Sequence, residues 1–172
     1  QGLSANLLYS FGPEERSTDP PNSWGGSLNW SKGALGLNAA YQKARIGAAG
    51  STTAQDALLL SGAYDLVVAK LFAQYQRLQN STSGADDEDD MLQLGASLPL
   101  GRGTVMISWA GSKGRDNAAA SADVERNTWA IGYRYDFSRR TDAYVAYYHS
   151  KREQGGVWDR QQVAGIGMRY RY

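Results

Sequence analysis

The chain has 172 residues, with 18 Lys plus Arg against 17 Asp plus Glu, 42% apolar and 11% aromatic residues, 20 glycines, one histidine and no cysteine. That is length for a single domain, 1–172, and a net charge of +1 gives no global field that would draw in nucleic acid. The cysteine count removes disulfides, thiolate nucleophiles and cysteine metal sites, a lone His149 rules out a histidine-rich metal centre, and no apolar run approaches the ~18 residues of a spanning helix.

The pattern that remains has a period of two. Ten blocks of alternation, bounded by Gly, Asp, Asn, Ser or Pro, each predict a strand with one apolar and one polar face. Residues 3–11 place Leu3, Ala5, Leu7, Tyr9 and Phe11 opposite Ser4, Asn6 and Ser10, with Leu8 breaking the rule. Residues 24–31 set Trp24, Leu28 and Trp30 against Gly25, Ser27 and Asn29, and 35–42 set Leu35, Leu37 and Tyr41 against Gly36, Asn38 and Gln42. Block 57–64 is apolar on both faces and leaves a three-turn helix as the competing reading, although Gly62 and the lack of charge favour a strand. Blocks 68–77 and 91–98 alternate again, the second ended by Pro99. Val105, Ile107 and Trp109 form the seventh apolar row, Trp129 to Phe137 the eighth, Ala143 to Tyr147 the ninth, and Ala164 to Tyr172 the tenth.

Between the blocks, long polar segments (12–23, 43–56, 78–90, 110–127 and 149–161) alternate with tight turns near Gly33, Leu66, Gly101 and Arg139. A soluble sandwich has no reason to keep its long loops at one end, whereas an outer-membrane barrel has short periplasmic turns and long external loops. Ten residues at ~3.3 Å each, tilted by about 40°, rise roughly 25 Å, the height of the apolar band such a barrel presents. Aromatic residues near block ends fit the headgroup level. Because an orphan backbone group in hydrocarbon costs several kcal/mol, the sheet must close or be completed. The expected fold is all-β, an antiparallel transmembrane β-barrel of about ten strands.

The segments YDFSRRTDAYVAYYHSK at 135–151 and VAGIGMRYRY at 163–172 resemble the C-terminal end of Gram-negative general porins of the trimeric, beta-proteobacterial and neisserial type. AYDLVVAKLFAQY at 63–75 and LPLGRGTVMI at 98–107 resemble internal strand–turn–strand segments of that family. The resemblance implies 16-stranded, water-filled barrels of the outer membrane, about twice this length, that pass small hydrophilic solutes. This chain would correspond to the last ten strands, without the loop that forms the channel constriction. It also implies a homotrimer, and a terminal signal for the barrel-assembly machinery at Tyr170 and Tyr172, the last being Phe in most of the family. What completes the barrel is left open: an N-terminal portion, another polypeptide, or an assembly factor.

Alternation puts Lys70, Arg134, Arg169, Arg171 and the opposing Asp142 on the pore wall, a basic stripe that would give a weak anion preference. The competing reading has Asp142, Arg169 and Arg171 at the periplasmic rim, facing solvent or pairing with one another. The run Asp86, Asp87, Glu88, Asp89 and Asp90 is expected on a long outer loop, either as a solvated charge run or as a divalent-cation bridge to lipopolysaccharide phosphates. Enzymatic activity is not expected, since the only imidazole, His149, is adjacent to Ser150, and neighbours on a strand point to opposite faces. No cofactor is implied; the expected partners are outer-membrane lipid and lipopolysaccharide. The expected function is passive diffusion of small hydrophilic solutes and ions. The alternative is a small closed barrel with a structural, adhesive or anchoring role, against which the small inward residues argue.

Overall fold

The computed structural model describes residues 2–11, 22–48, 51–82, 85–116 and 123–171. Ten strands follow one another in a single sheet: β1 Gly2–Ser10, β2 Ser23–Lys32, β3 Leu35–Ala48, β4 Ser51–Asp65, β5 Lys70–Thr82, β6 Ala85–Leu100, β7 Gly103–Asp116, β8 Val124–Asp136, β9 Thr141–Gln154 and β10 Val157–Tyr170. Each hydrogen-bonds antiparallel to the next. The ambiguous block at 57–64 is strand: Leu58 and Leu60 join the apolar face, and Leu59 is opposite Ala40 and Gln76 on the other.

Register carries the alternation across the whole sheet, because directly opposed residues share a face. Leu3 opposes Trp30, Trp30 opposes Leu37, Leu94 opposes Trp109, Trp109 opposes Trp129, and Trp129 opposes His149. A one-residue slip anywhere would exchange the faces, so the ten apolar rows enforce one another. The sheet has no second layer. Ala44 is the one buried apolar side chain among the described residues, while Leu7 is 92% and Ile166 86% exposed. A water-soluble sheet covers such a face with helices or another sheet; here the apolar row is bare along every strand and calls for hydrocarbon.

The tight turns sit where expected. Gly33 and Gly101 take the left-handed backbone that such turns demand, and Gly155 and Gly156 take it in a further tight turn between β9 and β10, inside the segment 149–161 that the sequence reads as a long loop. Val67 does so too, at φ 71°, unusual for a β-branched residue. Its N–H donates to Asp65 Oδ1 at 2.9 Å, and the Leu66 N–H donates to the Ala69 carbonyl at 2.8 Å, so the turn is held from both sides.

Several expected loops are corrected. Residues 43–48, 51–56, 78–82, 85–90, 110–116, 124–127, 149–154 and 157–161 lie in strands, so the segments read as long loops are mostly hairpin continuations. The reason is that the apolar alternation stops at the membrane surface but the backbone ladder does not, since cross-strand polar pairs sustain it in water. Likewise β6 runs past Pro99 to Leu100, with Pro99 opposite Thr104 beside the turn, and Phe137 falls in the turn after β8. The segment 12–21 lies outside the described residues.

Neither β1 nor β10 pairs with the other among the described residues; each has one hydrogen-bonded neighbour. Among the described residues the sheet is therefore open, where the alternative reading expects a ring closed on ten strands.

Candidate pore wall and its short-turn mouth

The face opposite the apolar one is a polar wall. Asn6 Nδ2 donates to Ser27 Oγ at 3.3 Å, Asn38 Nδ2 to Asn29 Oδ1 at 2.6 Å, and Gln55 Nε2 to Asn80 Oδ1 at 2.9 Å, while Thr128 and Ser150 share a hydroxyl bond of 3.0 Å. Each bond joins neighbouring strands on the same side of the sheet, a ladder suited to a wet surface. A trough of about 780 Å³ runs along this side from β1 to β7, past Ser4, Asn38, Ser61, Gln74 and Ser108. Larger apolar or aromatic groups are interspersed on the same face, among them Leu8, Leu59, Phe72, Met91, Met106, Tyr144 and Tyr148. Tyr144 lies flat over Gly167, where an added Cβ would approach the ring to 2.5 Å, so the missing side chain gives the ring its place.

All five residues expected on the wall share this face, and they gather at the short-turn end. Lys70 begins β5, opposite Asp65 and Ser97. Asp142 is only 2% exposed, and its Oδ2 accepts from Arg169 Nε at 3.1 Å, Arg169 Nη2 at 2.9 Å and Arg171 Nη2 at 3.1 Å. Its Oδ1 is buried without a hydrogen-bond partner. Arg134 pairs with Asp136 across 3.2 Å and reaches Thr104 Oγ1 at 3.5 Å. The reading that has Asp142 neutralised by its neighbours at the rim therefore describes the geometry of those three residues. Alternation did not single out Arg102 and Arg139, which lie in turns where no periodicity exists; Arg102 Nη2 donates to the Phe137 carbonyl.

The acidic run does not converge. With β6 beginning at Ala85, consecutive acids point to opposite faces. Glu88 pairs with Arg77, and Tyr75 Oη donates to Asp90 at 2.5 Å on the outward face, whereas Asp87 and Asp89 share the inner one. The side chain of Asp86 lies outside the described ones. No three metal-ligating groups come together among the described residues. The outward acids instead belong to a belt beyond the apolar band: Lys43–Asp56 at 3.5 Å, Tyr41 on Asp56, Arg77–Glu88, and Lys113–Glu125 at 3.0 Å, with Trp109 Nε1 donating to Asn127 at 2.9 Å just below. The sign of charge alternates from strand to strand.

His149 stacks on Trp129 at 5.7 Å on the outward face, while Ser150 is turned inward to Thr128. Tyr170 faces outward opposite Thr141, and Tyr172 lies outside the described residues.

A single antiparallel sheet, bare and apolar on one side, wet and hydrogen-bonded on the other, defines the wall of an outer-membrane β-barrel. The chain belongs to the Gram-negative porin family, whose model matches residues 1–155. A search of curated proteins finds no match. Among solved structures it is similar to an anion-selective porin from Comamonas acidovorans, with a TM-score of 0.83, 24% identity, and coverage of 98% of this chain and 55% of that one. It is also similar to OmpT, an outer-membrane protein of Vibrio cholerae, with a TM-score of 0.77, 14% identity, and coverage of 99% and 62%. The chain thus spans little more than half of each. Its location is the Gram-negative outer membrane.

Proposed function

We propose that this chain forms ten strands of the wall of a passive outer-membrane channel for small hydrophilic solutes and ions, with a weak preference for anions. The observation that carries the reading is the polar ladder on the inner face, set with residues as small as Gly25, Ser27, Gly36 and Ser97. A closed ten-stranded barrel at about 40° tilt has a backbone radius of roughly 10 Å and fills its interior with side chains, whereas sixteen strands give roughly 16 Å and leave water. These inward residues suit the wider wall. Further strands, from a longer polypeptide or a second chain, complete it by pairing with β1 and β10. The working assembly is a homotrimer inserted by the barrel-assembly machinery, which reads Tyr170 and Tyr172. Outer-leaflet lipopolysaccharide meets the charged belt.

Anion preference follows from the arginines of the short-turn mouth, the periplasmic end by the rule that turns are short on that side. The similar porin from Comamonas acidovorans is described as anion-selective, which agrees in direction. No bond is made or broken, and discrimination rests on width and wall charge. Planar-bilayer recording of the inserted protein tests this: stepwise ohmic currents are expected, and a correctly inserted sample without ion flux overturns it.

A further inference from the structure

We propose that the short-turn mouth formed by β7 to β10 holds a binding site for small dianionic oxyanions, with inorganic phosphate the simplest. The inference rests on the inner face being wet, as the pore reading requires, and goes further by naming a ligand and its residues. A recess of about 610 Å³ is lined there by Arg102, Arg134, Asp136, Ser138, Arg139 and Arg171, four guanidinium groups against one carboxylate.

Three of these arginines are held in place by contacts that leave donors unspent. Arg102 follows Gly101 in a two-residue turn, donates through Nη2 to the Phe137 carbonyl, and lies 5.8 Å from the centre of the Tyr135 ring. Arg171 is tied to Asp142, which also takes Arg169, so one carboxylate positions two guanidinium groups and neutralises only one. Arg134 Nη2 donates to Asp136 Oδ2 at 3.4 Å and to Thr104 Oγ1 at 3.5 Å, while its buried Nε, 3.2 Å from Asp136 Oδ1 and within ion-pair range, has no hydrogen-bond acceptor. Arg139 extends from the turn without a side-chain partner among the described residues. Ser138 Oγ already accepts from the Arg140 and Thr141 N–H groups at 3.1 Å each, which leaves its own hydrogen to donate.

Planar guanidinium forks match tetrahedral oxyanions two oxygens at a time, an advantage a spherical halide does not share. A dianion answers the surplus positive charge, and Asp136 is the group it must share Arg134 with. The site is therefore more than a diffuse field: it is a fork cluster with an orphaned donor.

Calorimetric titration of the folded full chain in detergent micelles with inorganic phosphate tests it. Saturable binding is expected, weakened about tenfold by Arg134→Gln or Arg171→Gln, and nearly as much by Arg134→Lys, which keeps charge but loses the fork. Arg139→Gln, in an exposed turn where folding is not at stake, is expected to weaken it several-fold. Arg152→Gln, at the far end of the wall, is expected to leave it unchanged. Absence of saturable binding, or binding indifferent to the substitutions at Arg134, Arg139 and Arg171 alike, overturns the site. In bilayers, phosphate added from the short-turn side should block chloride current at lower concentration than from the other side. Conductance without binding or sided block sinks this inference and leaves the pore standing, while binding without conductance does the reverse. Dissolved phosphate is the expected source, so a half-blocking concentration that rises with anionic lipid content would assign the arginines to headgroups and refute the proposal.

Discussion

Asp142 is enclosed while the arginines that enclose it are half in solvent, with side chains 51% and 54% exposed against 3% for the carboxylate. Water therefore screens much of the attraction, and the cluster contributes less than a dry ion pair of the same geometry. Replacing Asp142 by Asn removes one negative charge from the mouth and keeps the shape. A unit charge acting across ~8 Å of water is worth about 0.5 kcal/mol on each ion, and a Debye length of ~10 Å at ~0.1 M salt roughly halves it. Because the effect on chloride and potassium is opposite in sign, the chloride-to-potassium permeability ratio should rise roughly twofold. Stability should fall by only about 1–2 kcal/mol. Reversal potentials in a KCl gradient measure the first effect, and no shift would mean that the group does not face the ion path. Period-two counting placed Asp142, Arg134 and Arg169 on the inner wall because strands leave a side chain two choices. It was silent on Arg102 and Arg139, because turn residues have no such constraint and their convergence depends on two hairpins meeting.

Strand existence was legible in all ten cases, and strand length was not. The apolar period reports where hydrocarbon is, so it gives the membrane-crossing part of each element and falls silent above it. In β4 the alternation starts near Ala57, but the ladder begins at Ser51, stitched to β3 by pairs such as Lys43–Asp56 and to β5 by Gln55–Asn80. The acids at 87–90 were misplaced for the same reason: a charged segment reads as a loop unless its cross-strand partners, here Tyr75 and Arg77, are counted. Where the pattern does speak, it makes a sharp demand of adjacent residues. Leu94 faces outward opposite Trp109, and Gln93 faces inward opposite Gln74. Leu94→Arg should therefore cost about 2–4 kcal/mol of folding free energy in bilayers, the penalty of a cation near the membrane midplane. Gln93→Arg should fold within about 0.5 kcal/mol of the parent. Urea titration of refolding into vesicles separates the two, and equal costs would deny that the faces meet different media.

At the scale of the molecule the decisive feature is a sheet with two free edges. Every internal strand satisfies its backbone on both sides, but β1 and β10 each spend half of theirs on nothing among the described residues. In water an open edge is tolerable; in hydrocarbon each unpaired N–H or C=O costs several kcal/mol, and a row of them along two strands exceeds the whole stability of an ordinary domain. An open ten-stranded sheet is therefore not a state that a membrane can hold, and the similarity to chains of which this one spans 55% and 62% is in keeping with a larger ring. Amide hydrogen exchange in the membrane-inserted protein reads this directly. On the proposed completion of the wall by further strands, the outward-bonding amides of β1 and β10, those not paired to β2 or β9, should be as protected as the amides of β4 to β7. If they exchange within seconds while the central strands stay protected, the edges lie open and the completed wall fails. If they are protected and cross-linking joins β1 directly to β10, the ring closes on ten strands and the wide aqueous channel fails with it.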